Sequence, residues 1–447
     1  MHSRRIDEGA TMPASSRYNF SATLCKHLPR SIVTLLRDVG ELADRLNMSA
    51  YAVGGFVRDL LRGHPNLDLD LVVEGDGLKF ARALAEGLHV RVKVHERFGT
   101  ATVIFSDGFK LDIATARTEW YEYPAALPTV QPSSIREDLY RRDFTINTLA
   151  ICLNSRSFWI LLDLYGGQRD IKERTIRVLH SQSFIDDPTR IFRAIRFELR
   201  LGFRISHETL ALIKEAVEKK LIDRVSGQRL FGELRSLLSE RDPRLTICRL
   251  AELDLLRFIH PKLSWSRRLD GILKRVEGAL GWYAERYPAR EIERWLLYMM
   301  AFMEMLPRRA VEEALKRFAY REFEAKCIRA ARFEVSTIAR RLSRRPLPRP
   351  SDSNRVLSRF ADAVLVYLMA MCKSNSITQQ LSAYFDIHQQ VKPVITGKDL
   401  KAMGLKPGPR FTRILSRLRD ARLNGEVRTE AEERRMAWRL VSRTKVP

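Results

Sequence analysis

The chain reads as an α+β protein, with a small mixed β-sheet in its first part and a long all-helical region after it. Between about residues 30 and 178, short segments rich in β-branched residues alternate with helix-like stretches, each bounded by turn formers. After about residue 184, Arg and Leu recur at three- and four-residue spacings and glycine becomes sparse, which is helical periodicity. At 447 residues the chain is too long for one ordinary core, so two to four domains are expected.

In order, residues 1–27 are polar and are expected to form a disordered leader. Strands are expected at 51–53, 68–73, 90–95, 101–105 and 110–115. The apolar stretches 295–306 and 361–372 are too short to span a bilayer and read as buried helices. Residues 340–350, with arginine pairs and prolines in quick succession, read as a linker between helical parts. There is no internal repeat.

Bulk composition narrows the class. Hydrophobic residues at 45% and charged residues at 30% describe a soluble globular protein. A formal net charge of +24 points to a polyanionic partner, with nucleic acid first and an anionic membrane second. A merely well-solvated surface is the plain alternative. The five cysteines (Cys25, Cys152, Cys248, Cys327, Cys372) are scattered, with no CxxC and no His cluster, which argues against zinc. No segment has the apolar core of a signal peptide, so a reducing cytoplasm is the expected location and no membrane is involved.

Three constellations carry chemistry. The first is Val53-Gly54-Gly55-Phe56-Val57-Arg58-Asp59 followed by Asp68-Leu69-Asp70. A strand turns through two glycines into a helix, and the glycines let backbone approach a phosphate. Asp68 and Asp70 are two apart in a strand-like segment, so they project side by side and repel unless a cation lies between them. Asp112 lies in a later strand; beside the first, it would bring three carboxylates together, as two-metal phosphoryl transfer requires. A solvated strand edge is the competing account of Asp-x-Asp taken alone.

The second constellation is Asp138-Leu139-Tyr140-Arg141-Arg142-Asp143-Phe144-Thr145-Ile146-Asn147, read as a helix start. Asp143 and Asn147 are four apart and share a face. Arg142 suits a phosphate or ribose, and Asp143 suits a ribose 2′-hydroxyl. A capped helix with an internal Arg–Asp pair is the competing account. The third is Asp186-Asp187-Pro188-Thr189-Arg190, followed by Arg193 and Arg196. Asp187 before Pro188 reads as an N-cap with proline at N1. Arg190, Arg193 and Arg196 form one row, with Ile191, Ile195 and Leu199 on the apolar row. Asp187 and Arg190 on one helix face can read a base edge: the carboxylate accepts from an exocyclic amine and Arg donates to ring acceptors. The row could equally be a solvated or RNA-facing stripe. Gly166-Gly167 is most simply a tight turn, and Ser226-Gly227-Gln228-Arg229 before Glu233 a capped helix start.

Taken together, these segments resemble class II tRNA nucleotidyltransferases, the bacterial CCA-adding, A-adding and poly(A) polymerase family, over residues 28–432. Val53-Gly54-Gly55 with Asp68-Leu69-Asp70 resembles the catalytic signature, and Arg141 to Asn147 the ribose-binding motif. Residues 163–170 resemble the head–neck turn, Asp186 to Arg190 the amino-acid template for the incoming base, and residues 229–234 the neck-stabilising motif. Ile395-Thr396-Gly397-Lys398-Asp399-Leu400 and Gly404-Leu405-Lys406-Pro407-Gly408-Pro409 are similar to the tail that holds the tRNA elbow.

The resemblance implies a polymerase β-like nucleotidyltransferase head (28–178), a helical neck with the base template (179–240), a helical body (241–345) and a tRNA-binding tail (346–447). It implies Asp68 and Asp70 as catalytic and binding Mg2+; Asp112, from the strand reading above, is the third expected catalytic acid. Gly54, Gly55, Arg58, Arg142, Asp143, Asn147, Asp187, Arg190 and Arg193 are the expected nucleotide-binding set. CTP or ATP and a tRNA 3′ end are the expected substrates; the oligomeric state is left open. The template's first acid is often Glu and here is Asp186, a form more similar to A-adding members. Residues 117–139 resemble a full-length flexible loop, which CC-only members shorten. Poly(A) polymerase activity is the alternative enzyme, and a non-catalytic RNA-binding protein the alternative of another class.

Overall fold

The computed structural model describes residues 17–19, 28–64, 66–372 and 374–442. The expected leader, with Cys25, lies outside the described residues except for 17–19. The chain falls into two compact units, Met1–Glu233 and Leu234–Pro447.

The first unit is built on an eight-stranded mixed sheet. Its strands are β1 (Arg17–Asn19), β2 (Ser49–Val53), β3 (Leu69–Glu74), β4 (Arg91–His95), β5 (Thr100–Ile104), β6 (Lys110–Thr115), β9 (Leu149–Cys152) and β10 (Ile160–Asp163). A separate hairpin joins β7 (Arg117–Trp120) to β8 (Thr129–Pro132). Strand order in the large sheet is β1-β10-β9-β2-β3-β6-β5-β4. The five strands expected from the sequence all form, displaced by a residue or two at their ends. Asp68 falls just before β3 rather than inside it.

The helices of this unit are α1 (Arg30–Arg45), α2 (Gly55–Leu61), α3 (Gly77–Gly87), α4 (Ile135–Tyr140), α5 (Gly167–Lys172), α6 (Ser183–Asp186), α7 (Arg190–Leu201), α8 (His207–Glu218) and α9 (Gly227–Leu238), the last crossing the unit boundary. Alternation along the strands decides where the core sits. Leu69, Leu71 and Val73 of β3 and Leu111 and Ile113 of β6 face one side, where they pack with Leu36 and Val39 of α1, Phe56 and Val57 of α2, and Phe80 and Leu84 of α3. The intervening residues face the other side, where Val53 and Val72 pack with Ile135 and Leu139 of α4. Asp70 and Asp112 belong by parity to this second face.

Two expected elements differ. Residues 117–139 are not a loop: Arg117 pairs with Pro132 and Glu119 with Val130, and α4 follows. The 138–147 motif does not start a helix: α4 ends at Tyr140, and Thr145–Asn147 is an isolated 3-10 turn. The Asp143 carboxylate accepts from the Phe144 N–H (2.9 Å), a local bond that competes with helix continuation.

The second unit is helical throughout. The two apolar stretches are the buried helices Arg294–Glu304 and Asp362–Met371. No described helix is long and apolar enough to cross a membrane. The expected linker falls between the helices Val335–Leu342 and Pro350–Leu357. Near the C-terminus, Thr396 caps the helix Gly397–Ala402 through Asp399, and Leu400, Met403, Ile414, Leu418 and Ala437 close a small separate core.

Gly40 shows how closely α1 lies on the sheet. A Cβ there would stand 1.9 Å from the Leu153 carbonyl oxygen, a backbone atom that cannot swing aside. Gly40→Ala should therefore destabilise the protein by about 1–3 kcal/mol, despite alanine's better helix propensity. Urea unfolding checks this; an unchanged or higher midpoint would contradict the close packing.

Candidate active site

The second face of the sheet opens into a cavity of about 500 Å³, a size suited to a small polar ligand. Gly54, Gly55, Asp68, Asp70, Asp187 and Arg190 all line it. Arg58, Arg142, Asp143, Asn147 and Arg193 lie in its walls. All eleven residues come from the first unit, so the local fold assembles the site. Asp112 lines an adjoining groove that shares Asp70, Arg141 and Arg142 with the cavity.

Gly54 turns the chain from β2 into α2 with φ +72° and ψ −133°, a conformation that favours glycine. A Cβ there would lie 2.9 Å from Nη1 of Arg142. This turn is thus bare backbone with a guanidinium directly above it.

β3 and β6 run parallel, with Asp70 opposite Asp112. Burial pushes the Asp70 carboxyl up to about 6, and Asp68 and Asp112 add to the shift, while Arg142 opposes it. The three acids do not form a ready ligand cluster: among the described residues no group of three His, Cys, Asp or Glu side chains is arranged to hold an ion. Asp68 is exposed ahead of the strand, and Asp112 accepts a hydrogen bond from Thr102 Oγ1 (2.6 Å). The donor set nonetheless suits a hard divalent cation. It is all carboxylate oxygen.

Several expected nucleotide contacts are turned toward protein instead. Arg58 is buried; its Nε and Nη2 donate to Asp59 and its Nη1 donates to Asn147 Oδ1 (2.7 Å). Asn147 Nδ2 donates to Asp143 Oδ1 (2.9 Å), and Arg193 donates to Asp143 Oδ2 through Nε (2.8 Å) and Nη2 (2.6 Å). Burial raises the Asp143 pKa, but Arg193 and these hydrogen bonds outweigh it and hold the carboxyl below its usual range. With Phe144 N–H included, Asp143 accepts four bonds, so the acceptor positions expected for a ribose hydroxyl are occupied. Asp59–Arg58–Asn147–Asp143–Arg193 is a buried polar chain that ties α2 to α7.

The base-reading pair also differs in detail. α7 begins at Arg190 with Thr189 as N-cap, and Asp187 is extended (φ −136°, ψ 94°), so the two do not share a helix face. They converge on the cavity across the turn. Asp187 Oδ1 accepts from Thr189 N (3.0 Å), Thr189 Oγ1 (2.6 Å) and Arg229 Nη2 (2.8 Å). All three bonds fall on one oxygen, leaving Oδ2 available to a ligand. Arg190 is buried, donating to Ser183 Oγ (2.9 Å) and the Arg141 carbonyl (2.7 Å), which fixes its plane. On the apolar row of α7, Ile191 and Ile195 are buried but Leu199 is exposed.

Sequence reasoning did not single out Asn66, Arg141 or Phe197 as cavity residues, nor Asp59 as the partner of Arg58. Asp59 stands next to Arg58 in the glycine motif, and the carboxylate–guanidinium adjacency was the signal available.

The same architecture occurs in known proteins. Residues 50–177 match the Poly A polymerase head domain, and residues 202–266 match the probable RNA and SrmB-binding site of polymerase A. The A-adding tRNA nucleotidyltransferase of Halalkalibacterium halodurans is 35% identical over 392 residues, covering 85% of this chain and 86% of that protein. The chain belongs to the class II tRNA nucleotidyltransferase family. Another family member, the A-adding tRNA nucleotidyltransferase of Geobacter sulfurreducens, is 45% identical over 93% of this chain; the match spans 48% of that longer relative. Among solved structures of the family, a CCA-adding enzyme in apo form superposes with a TM-score of 0.76 at 35% identity, covering 94% of this chain and 98% of that one. The Thermotoga maritima CCA-adding enzyme complexed with tRNA gives 0.71 at 33% identity, covering 96% and 100%.

The burial of Asp70, with the acids beside it, has a measurable sign. Its folded pKa of about 6 exceeds the unfolded value of about 4. The native state therefore binds the proton more tightly, and stability is lost as pH rises through that window. Asp70→Asn should raise the melting temperature of metal-free protein at pH 8, by a gain on the order of 1–3 kcal/mol, and the gain should shrink below pH 5. Thermal melts at both pH values check this; an equal gain at the two would count against a raised Asp70 pKa.

Proposed function

We propose that this protein adds nucleotides, without a nucleic-acid template, to the 3′ end of tRNA, and that its nucleotide is ATP. The observation that carries the reading is one cavity lined both by the glycine turn with its acid pair and by Asp187 with Arg190. A nucleoside triphosphate calls for both kinds of group: a phosphate-friendly turn with acids for its cation, and a carboxylate–guanidinium pair for a base edge.

In this reading the oxygen of the RNA 3′-hydroxyl forms a bond to the α-phosphorus. The α–β phosphoanhydride bond breaks, and pyrophosphate leaves. Gly54 and Gly55 admit the triphosphate close to backbone, and Arg142 supplies positive charge beside it. Asp68 and Asp70 would hold Mg2+, which supplies charge neutralisation for the phosphates and a more acidic hydroxyl. Asp112 stands by the acid pair as acceptor for the hydroxyl proton. Asp187 Oδ2 accepts from the exocyclic amine of the base, and Arg190 donates to its ring acceptors. Asp143 and Arg58 act as the frame that fixes Asn147 and Arg193.

Adenosine addition is favoured by Asp186 at the first template position and by the A-adding names of the relatives from Geobacter, Halalkalibacterium and Aquifex aeolicus. Solved relatives include CCA-adding enzyme complexes with ATP and with CTP, and the order of nucleotide addition distinguishes A-addition from CCA-addition. The tRNA elbow is assigned to the C-terminal segment, where Lys398, Lys401, Lys406, Arg410, Arg413 and Arg417 are exposed together. The location proposed is the cytoplasm, where tRNA is processed.

Purified protein given tRNA ending before the tail, after one C, or after CC, with CTP, ATP or both, should extend only the CC-ended tRNA, by one A. Incorporation of CTP would replace A-addition with CCA-addition, and long A tracts on generic RNA would favour the poly(A) polymerase reading. Asp68→Ala and Asp70→Ala should each abolish extension while tRNA binding persists. tRNA affinity should fall steeply between 50 and 200 mM salt, by roughly 10- to 1,000-fold for a handful of phosphate contacts. A flat salt profile by filter binding would contradict phosphate-led docking.

A further inference from the structure

Arg142 poses a problem of electrostatics that the residues discussed above do not solve. It stands over the Gly54 turn, where a Cβ on Gly54 would lie 2.9 Å from its Nη1 and 3.9 Å from Asp70 Oδ2. A guanidinium beside an uncompensated acid pair would be expected to fold down onto it and occupy the place a metal-bound triphosphate needs. It does not: its hydrogen bond among the described residues is Nη2 to Asp138 Oδ2 (3.1 Å), and its Nε is buried with no partner.

Asp138 is fully buried on α4 and takes no part in the reaction described above. Its other oxygen, Oδ1, accepts from Arg141 Nε (3.1 Å) and Nη2 (2.7 Å) and from the Arg117 N–H (3.3 Å). Glu119 takes the remaining Arg141 contact through Nη1 (2.8 Å). The Arg141 carbonyl in turn accepts from Arg190 Nη2 (2.7 Å). One buried carboxylate thus holds the phosphate-side guanidinium with one oxygen, and with the other it holds the residue whose backbone fixes the base-side guanidinium.

We propose that Asp138 is a positioning residue for nucleotide binding: it draws Arg142 away from Asp70 and presents it to the triphosphate. The inference rests on the nucleotidyl-transfer reading of the cavity and adds to it a residue that touches neither substrate nor metal. A merely structural acid would affect folding but not nucleotide affinity through Arg142 alone.

The test is direct ATP binding to the full chain in magnesium, by calorimetry, without turnover. Asp138→Asn keeps the shape and removes the charge; it should weaken ATP by about tenfold or more, the loss of one charged hydrogen bond at a binding group. Arg142→Ala should weaken ATP similarly, and the loss in the double variant should fall well short of the sum of the two single losses. Additive losses, or unchanged ATP affinity in Asp138→Asn, would overturn the proposal. Asp138→Glu retains the charge and should fall between wild type and Asp138→Asn; it carries the test if circular dichroism shows that Asp138→Asn does not fold, and affinity equal to that of Arg142→Ala would then overturn it. Wild-type protein that binds no ATP would remove the nucleotidyl-transfer reading itself, a result distinct from normal ATP binding by all variants.

Discussion

The parallel pairing of β3 with β6 sets the terms for everything around it. That register places Asp70 opposite Asp112 on the face of the sheet left open by α1, α2 and α3, with Asp68 just ahead. Like charges so close, one of them largely desolvated, are unfavourable in the protein alone, and the raised pKa of Asp70 is the record of that cost. In the proposed function a divalent cation would relieve that crowding. Arg142 supplies part of the positive charge from within, and Asp138 prevents that partial supply from closing the site.

A second constraint acts on the opposite wall. Burying Arg58, Asp143 and Asn147 is favourable only if every charge has a partner, because an unpaired buried charge costs several kcal/mol. The Asp59–Arg58–Asn147–Asp143–Arg193 chain meets that condition link by link. It fastens the helix after the glycine turn to the helix that begins at Arg190. Polar contacts thus tie together two walls of the cavity. On the base side, the Asp187 carboxylate is locked by three donors on one oxygen, which orients the other without a helix face shared with Arg190.

Much of this was legible beforehand. The glycine turn, the acid pair, Asp112 and the Asp187/Arg190 pair were all expected at one site, and the cavity and its adjoining groove include them. What the fold adds is what the side chains hold. Arg58, Asp143 and Arg193, expected to touch nucleotide, line the cavity and also hydrogen-bond to protein. Residues 117–139 were expected as a loop, but Arg117 to Trp120 finds a partner strand, and the turn between is pinned where Arg229 Nη1 donates to the Ala125 carbonyl (2.8 Å). Partners 50 to 100 residues away in the chain are invisible to local pattern.

The sequence by itself determined the α+β order, the strand positions and the chemical inventory of the site. Those follow from periodicity, turn residues and residue type, which are local properties. Only the tertiary structure decided which charges were free and which were spent. Asp70 and Asp143 are the same residue type, and both are substantially buried. One stands beside like charges and is pushed up to about 6; the other is gripped by Arg193 and Asn147 and held down. A carboxylate's protonation depends on what lies within a few ångströms of it, and the fold alone sets that.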